Sequence, residues 1–328
     1  MLGRAAGIVG LCTLFAACLA AVGAGAEPGQ PQKEPPAPVQ AIRFKENPIL
    51  RPERSPSIGT NINGPSLIRV PDWVEKPLGR YYLYFAHHGG KFIRLAYADA
   101  LAGPWKIHDP GVLRLADTAA TGHVASPDVH IDSERREIRM YFHGPAKGGQ
   151  MTFLATSRDG LAFIAGREPL GPFYFRVFRW GDSWYAVAKE GVLCRSKDGT
   201  TKFEVGPTPF RFADPALIVR HSAVLLRGNR LWVFYSRISD NPERLLLSTL
   251  DLSGDWTTWR ASDPVTILAP EKDYEGVDRP ATPSRSGAAS GPVRQLRDPA
   301  IFEESGRTYL LYSVAGESGI AISELKNP

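Results

Sequence analysis

Apolar residues along this chain fall in short alternating runs, broken every few residues by Gly, Pro, Asn and Asp. Period-two alternation bounded by such breakers predicts β-strands joined by tight turns. The clearest example lies near the C-terminus, where Leu296-Arg297-Asp298-Pro299-Ala300-Ile301-Phe302 leads into Thr308-Tyr309-Leu310-Leu311-Tyr312-Ser313 and then Gly319-Ile320-Ala321-Ile322-Ser323. Weaker copies open at Asn61-Ile62-Asn63-Gly64-Pro65, Ala125-Ser126-Pro127-Asp128, Tyr174-Phe175-Arg176 and Arg220-His221-Ser222-Ala223. The first four copies continue into a fourth strand, predicted after Gly103-Pro104-Trp105, at Ala162-Phe163-Ile164, after Ser196-Lys197-Asp198-Gly199, and at Trp256 to Arg260. No long helix is expected; at most a single turn forms at Asp72 to Lys76 or Asp117 to Ala120.

Repeats of roughly 40–50 residues with four short strands each mark a β-propeller. A β-sandwich with similar hairpins is the simpler alternative. The second strands favour the propeller: Tyr-Tyr-Leu-Tyr-Phe, Arg-Met-Tyr-Phe-His, Ser-Trp-Tyr-Ala-Val, Leu-Trp-Val-Phe-Tyr and Tyr-Leu-Leu-Tyr-Ser share one aromatic and β-branched pattern. Such residues suit the middle strands of packed blades. The expectation is an all-β fold, a five-bladed β-propeller of four-stranded antiparallel blades. The last unit lacks its outer strand. The segment Ala41 to Leu50 would supply it, closing the ring and pairing an edge left open otherwise.

Composition limits the function classes. The chain has 328 residues, with 39 Lys and Arg against 34 Asp and Glu. The basic residues are scattered, without a run or a nucleic-acid motif, so the small positive charge reads as surface and not as a nucleic-acid footprint. No Gly-rich phosphate loop, His-x-x-x-His pair or Cys-x-x-Cys pair occurs, and no organic cofactor is expected. Residues 1–26 read as a secretory signal peptide, with Arg4, an apolar Ala5 to Val22 and an Ala24-Gly25-Ala26 cleavage site. The protein is therefore expected to be exported. Phe15-Ala16-Ala17-Cys18 is an imperfect lipobox, leaving lipid anchoring at Cys18 as the minor alternative. Residues 27–40 are a Pro-rich linker and 41–328 the propeller domain. No stretch beyond the leader is long and apolar enough to span a membrane. Cys194 is left alone after cleavage and is expected to be a buried small hydrophobe. A monomer is expected.

The heads of the first strands of a propeller converge on one face around the axis. That rule gathers Asn61, Asn63, Asp128, Arg176, Arg220, His221, Arg297 and Asp298 into one polar funnel. Carboxylates, imidazole, guanidiniums and amides together suit a sugar-binding or glycoside-cleaving site. Each has a structural reading too: Asp298 as a turn cap, Arg176 and Arg297 as ion-pair partners that keep the Asp residues ionised.

The Arg297 to Phe302 head, the Gly306 to Tyr312 hairpin and the Ala321-Ile322-Ser323 strand resemble a blade of the five-bladed glycoside hydrolases. Those include glycoside hydrolase family 43 and its arabinanase, levansucrase and invertase relatives. Leu95-Ala96-Tyr97-Ala98 followed by Gly103-Pro104-Trp105 is similar to their blade endings. The resemblance covers about residues 41 to 325 and implies a base or nucleophile Asp from the first blade, an orienting Asp and a Glu acid. The first blade departs from it, because Asn63-Gly64-Pro65 stands where Asp-Pro is expected. An amide cannot take a proton from water. On this reading Asp128 becomes the base, and Glu275, in the long insertion before the fifth unit, the acid. Asp298 and Arg297 are the orienting pair, and Asn61, Asn63, Arg176 and His221 bind sugar hydroxyls. Glu190 is the reserve acid. His87 and His88, after the second strand of blade one, are within reach of the rim but read as a surface turn, not a metal site, while a structural cation in the axial channel stays open. The ligand is a carbohydrate. A catalytically silent glycan-binding propeller and a protein-interaction scaffold are the alternatives.

Overall fold

The computed structural model describes residues 38–328. The export signal, Cys18 and the linker up to residue 37 lie outside the described residues. Strand β1 (Gln40–Arg43) comes first. Blade one follows as β2 (Asn63–Arg69), β3 (Tyr81–Ala86), β4 (Phe92–Ala98) and β5 (Lys106–Arg114). Blade two has β6 (Ala125–Asp132), β7 (Glu137–Ala146) and β8 (Gly149–Ser157), with two short pieces, β9 (Ile164–Ala165) and β10 (Gly171–Pro172), both on the outer side of β8. Blade three is β11 (Arg176–Trp180), β12 (Ser183–Val187), β13 (Leu193–Ser196) and β14 (Glu204–Val205). Blade four is β15 (Ile218–Arg227), β16 (Arg230–Ile238), β17 (Leu245–Asp251) and β18 (Val265–Leu268). Blade five has β19 (Arg297–Glu304), β20 (Arg307–Ser313) and β21 (Ile320–Lys326). Its outer strand is β1, antiparallel to β21 from Gln40↔Lys326 to Arg43↔Ser323.

Five apolar clusters hold the ring, each between consecutive blades. Tyr82, Tyr84, Met140 and Phe142 join blades one and two; Tyr81, Leu83, Phe302 and Leu311 join blades five and one. The second strands therefore bury side chains on both faces: Tyr82 to Ala86 are fully covered. This is the physical basis of their near-continuous aromatic pattern. Cys194 lies in the cluster between blades two and three and is a free thiol.

Two expectations change. Trp256 to Arg260 is not the outer strand of blade four; Trp256–Thr258 forms a 3-10 turn capped by Asp255, and β18 takes the edge instead. Trp256 and Trp259 pack into the cluster between blades three and four, which draws that segment off the sheet. The helical turn near Asp117 sits at Leu115–Asp117, while 72–76 opens with a turn closed by Val74 N to Pro71 O at 3.0 Å and runs on as a bend.

Candidate functional site

The first strands begin with the same irregularity. The pairing of β2, β6, β15 and β19 with their neighbours breaks between Asn63 and Ser66, Ala125 and Asp128, Val219 and Ser222, and Arg297 and Ala300. Such bulges re-aim side chains at a strand end. Within three of these breaks the second residue has a left-handed backbone: Gly64 at φ 60°, Ser126 at 49° and Asp298 at 48°. Tyr174, just ahead of β11, is at 65°. Non-glycine residues in this region store strain and concentrate at functional sites.

Ser126, Tyr174 and Asp298 indeed line one axial cavity, with Asn63, His88, His123, Ala125, His143, Gln150, His221 and Glu317. The space open to water centres is only about 20 Å³. That is room for about one water molecule. Four of the seven histidines of the chain face this chamber.

Two carboxylates are set into its wall, each beside a histidine. Asp298 Oδ1 lies 2.6 Å from His221 Nδ1, and Ser313 donates to Oδ2 at 2.9 Å. Burial pushes the Asp298 carboxyl up, but His221, Ser313 and Arg297 outweigh it and hold it well below the usual carboxylate range. Burial lowers the His221 imidazole, against the raising pull of Asp298. Despite that short approach to Asp298, Nδ1 makes no aligned hydrogen bond, and Nε2 is the ring's other nitrogen. Glu317 receives Asn61 Nδ2 at 2.6 Å, Asn63 Nδ2 at 3.3 Å and Arg297 Nη1 at 2.9 Å. Its Oε2 is 3.6 Å from His88 Nδ1. Burial opposes its charge, yet His88, Arg297 and Asn61 keep it below its ordinary value. The nearby Glu317 carboxylate raises His88. The two histidines are thus tuned in opposite directions.

A ring wall completes the chamber. Tyr174 meets His221 edge-on at 4.5 Å and His143 at 4.4 Å, and His143 meets His123 at 5.5 Å. Burial holds His143 well below its usual range, and its Nδ1 has no hydrogen-bond partner.

Of the residues singled out from sequence, the structure brings Asn63, His221 and Asp298 to the cavity. Asn61 and Arg297 stand behind it, holding Glu317. Arg297 also lies 3.2 Å from Glu243, which takes Arg220 on its other oxygen at 2.7 Å. Asp128 is not in the cavity lining: its Oδ2 accepts from Val177 N at 2.8 Å and lies 2.8 Å from His130 Nε2. By register it matches Ser66, whose Oγ accepts from Val129 N at 2.9 Å. Both side chains are joints that satisfy a backbone donor on the next blade. Arg176 spends its guanidinium on the carbonyls of Ser222, Pro127 and Phe175, tying blades two, three and four. Glu275 is fully buried away from the cavity and accepts from Arg43, Tyr312 and the Glu271 and Lys272 amides. It staples the ring-closing strand to the insertion. Glu190 is exposed.

His88, expected in a surface turn, lines the cavity instead, and Glu317, His123, His143 and Gln150 were not among the strand-head candidates. Among the described residues no group of three or more His, Cys, Asp or Glu side chains is placed to hold a metal ion.

No family model matches the chain. In fold it is similar to a family 43 β-xylosidase/α-arabinofuranosidase from a compost microbial metagenome, with a TM-score of 0.59 at 13% identity over 87% of this chain and 95% of that one. A family 43 glycoside hydrolase from Xanthomonas citri gives 0.57 at 14% identity, covering 81% and 88%. These TM-scores establish a shared five-bladed fold. In sequence the chain is 36% identical over 320 residues to the uncharacterized protein R118 of Acanthamoeba polyphaga mimivirus, covering 87% of this chain and 90% of that protein. This chain belongs to the family of that mimivirus protein, built on the five-bladed propeller of the family 43 glycoside hydrolases.

Proposed function

We propose that the protein is an exported glycoside hydrolase-like propeller that binds a sugar over the axial cavity, whose one-water space takes the attacking water, and hydrolyses a glycosidic bond there. The observation that carries this reading is the pair of oppositely tuned histidines in one chamber, each set against an ionised carboxylate. Titratable groups driven apart by their surroundings divide into base and acid. Neutral His221, set beside Asp298, takes the proton of the attacking water through Nε2. The water oxygen bonds to the anomeric carbon as the glycosidic C–O bond breaks, and protonated His88 gives its proton to the leaving oxygen. Solvent then moves a proton from His221 back to His88. Asp298 and Glu317 stay charged, and the carboxylates stabilise positive charge building on the sugar ring. The apolar leader with its Ala24-Gly25-Ala26 site supports export.

A catalytically silent, sugar-binding propeller is the second reading. It is favoured by Gly64, which by register occupies in blade one the place that Asp298 holds in blade five. One experiment separates the two. The protein is incubated with a panel of plant and algal polysaccharides, and released reducing ends are assayed for the wild type, Asp298→Asn and His221→Ala. Hydrolysis predicts release that both substitutions abolish. Release that survives Asp298→Asn overturns the mechanism, and retained binding without any release establishes the silent reading.

A further inference from the structure

The carboxylate–imidazole pair of blade two plays no part in the axial chamber. Asp128 Oδ2 lies 2.8 Å from His130 Nε2, and Tyr141 meets the imidazole edge-on at 5.7 Å. Burial pushes the Asp128 carboxyl up, but His130, Arg176 and the Val177 amide outweigh it and hold it below its ordinary value. An ionised carboxylate only accepts, so Nε2 carries the hydrogen of that bond and Nδ1 is left for another partner.

His130 lines a cavity of about 530 Å³ at the end of β6 away from the axial chamber. The two cavities share no lining residue. The β6–β7 turn, with Ser133, forms one wall, and the hairpin of β11 and β12 forms the other, where Arg179 and Trp184 are cross-strand partners. The volume is that of a small-molecule site. Three carboxylates also line it, and two are already engaged. Asp132 holds Arg135 at 3.0 Å and Arg139 at 2.7 Å. Asp198 Oδ1 accepts from the Thr200 and Thr201 amides at 2.8 and 2.9 Å and from the Thr201 hydroxyl at 3.0 Å. The third, Glu134, is exposed. Among the described residues, the Arg179 guanidinium has no ion-pair partner and the Trp184 indole N–H no acceptor. The free groups of this cavity are therefore mostly donors.

We propose that the cavity binds a phosphoryl group, as the free ion or a small phosphomonoester, between His130 Nδ1 and the Arg179 guanidinium, with the Ser133 hydroxyl and the Trp184 indole N–H as further donors. A guanidinium favours an oxyanion through charge-assisted hydrogen bonds. His130 narrows the choice among oxyanions. Near neutral pH a phosphate still exchanges a proton of its own, so one proton is shared between a phosphate oxygen and Nδ1. Sulfate and carboxylates are fully ionised there and bring no such proton. Binding them requires His130 to take one up from solvent.

Calorimetric titration of the full chain with inorganic phosphate, methyl phosphate and sulfate, at neutral pH and constant ionic strength, tests this. One of the two phosphates should bind at a single saturable site, about fivefold or more tighter than sulfate, and should shift the His130 ring signals in the NMR spectrum. The tighter of the two identifies the source, free ion or ester. Arg179 is exposed and His130 partly so, and substitution at either leaves the core intact. Arg179→Gln should weaken phosphate binding about tenfold, the worth of a hydrogen bond to a charged group. His130→Gln should weaken it too and erase the preference over sulfate. Absence of saturable phosphate binding overturns the site, and so does binding that both variants leave unchanged. Equal affinity of the wild type for sulfate overturns the phosphoryl class.

Discussion

The heads of blades one and five share a backbone and differ in chemistry. Each breaks its strand pairing at the same register, each puts the second residue of the break in the left-handed region, and each follows it with Pro. Blade five places Asp298 there, buried against His221. Blade one places Gly64 there, where an added Cβ would stand 3.3 Å from Ser126 Cα. The missing acid has a counterpart nearby. Glu317, on the turn between β20 and β21, reaches across to Asn61 and Asn63 at the head of blade one. A strand-head position in a propeller is therefore a place around the axis that a neighbouring turn also reaches. The absence of an Asp at one head does not empty that place of charge.

The sharpest test of the comparison is Asp298→Asn. It removes the charged partner of His221 and should lower hydrolysis by about 10²–10⁴-fold, the usual worth of positioned acid–base catalysis. Steady-state release of reducing ends measures it, with circular dichroism to confirm the fold. Glu317→Gln breaks the other half. Without the carboxylate, His88 loses the interaction that raises its pKa, so the alkaline limb of the pH–rate profile should move to lower pH. NMR titration of the His88 ring checks the same shift directly.

Glu275→Ala is the contrast case. Its carboxylate is as buried as that of Asp298 but pairs with Arg43 outside the cavity. Breaking a buried pair costs about 3–5 kcal/mol. The prediction is a lower denaturant midpoint with unchanged turnover per folded molecule. A turnover loss at full folding would return Glu275 to the site. Gly64→Ala should cost about 1–2 kcal/mol from left-handed strain alone, read from the same unfolding curves.

The smallest effect is on acid stability. Asp298 is held below its ordinary value, so its contribution is complete above the unfolded carboxylate pKa of about 3.9 and is lost only as pH falls toward its folded value. His143 is also lowered, by burial of its neutral ring. Below about pH 6.5 the unfolded chain binds a proton that the folded ring refuses, and stability falls with pH from that point. A thermal-melt series from pH 7.5 to 4 should decline from the His143 region first, and His143→Phe should flatten that decline.

Much of the fold was legible in the residues. Period-two runs, Gly and Pro breaks and the repeated aromatic second strands determined the blade count, and the strandless edge of the last unit pointed to the N-terminal segment that β1 supplies. Asp298-Pro299 marks a bulge inside β19 where a turn before the strand was expected, and Asp298 and His221 do line the cavity. What the residues did not carry was the facing of each polar side chain. Asp128 and Asp298 look alike in sequence, both beside Pro at a strand head. Their places relative to the bulge differ by two residues in register, which turns one toward the neighbouring blade and the other toward the cavity. Glu317 is hidden in the sequence, and His88 reads as a surface turn near the rim, for a simpler reason. In an antiparallel meander the turn between strands two and three lies at the same end as the head of strand one. Those turns reach the axis without any sequence mark, so only the assembled ring decided that they complete the site.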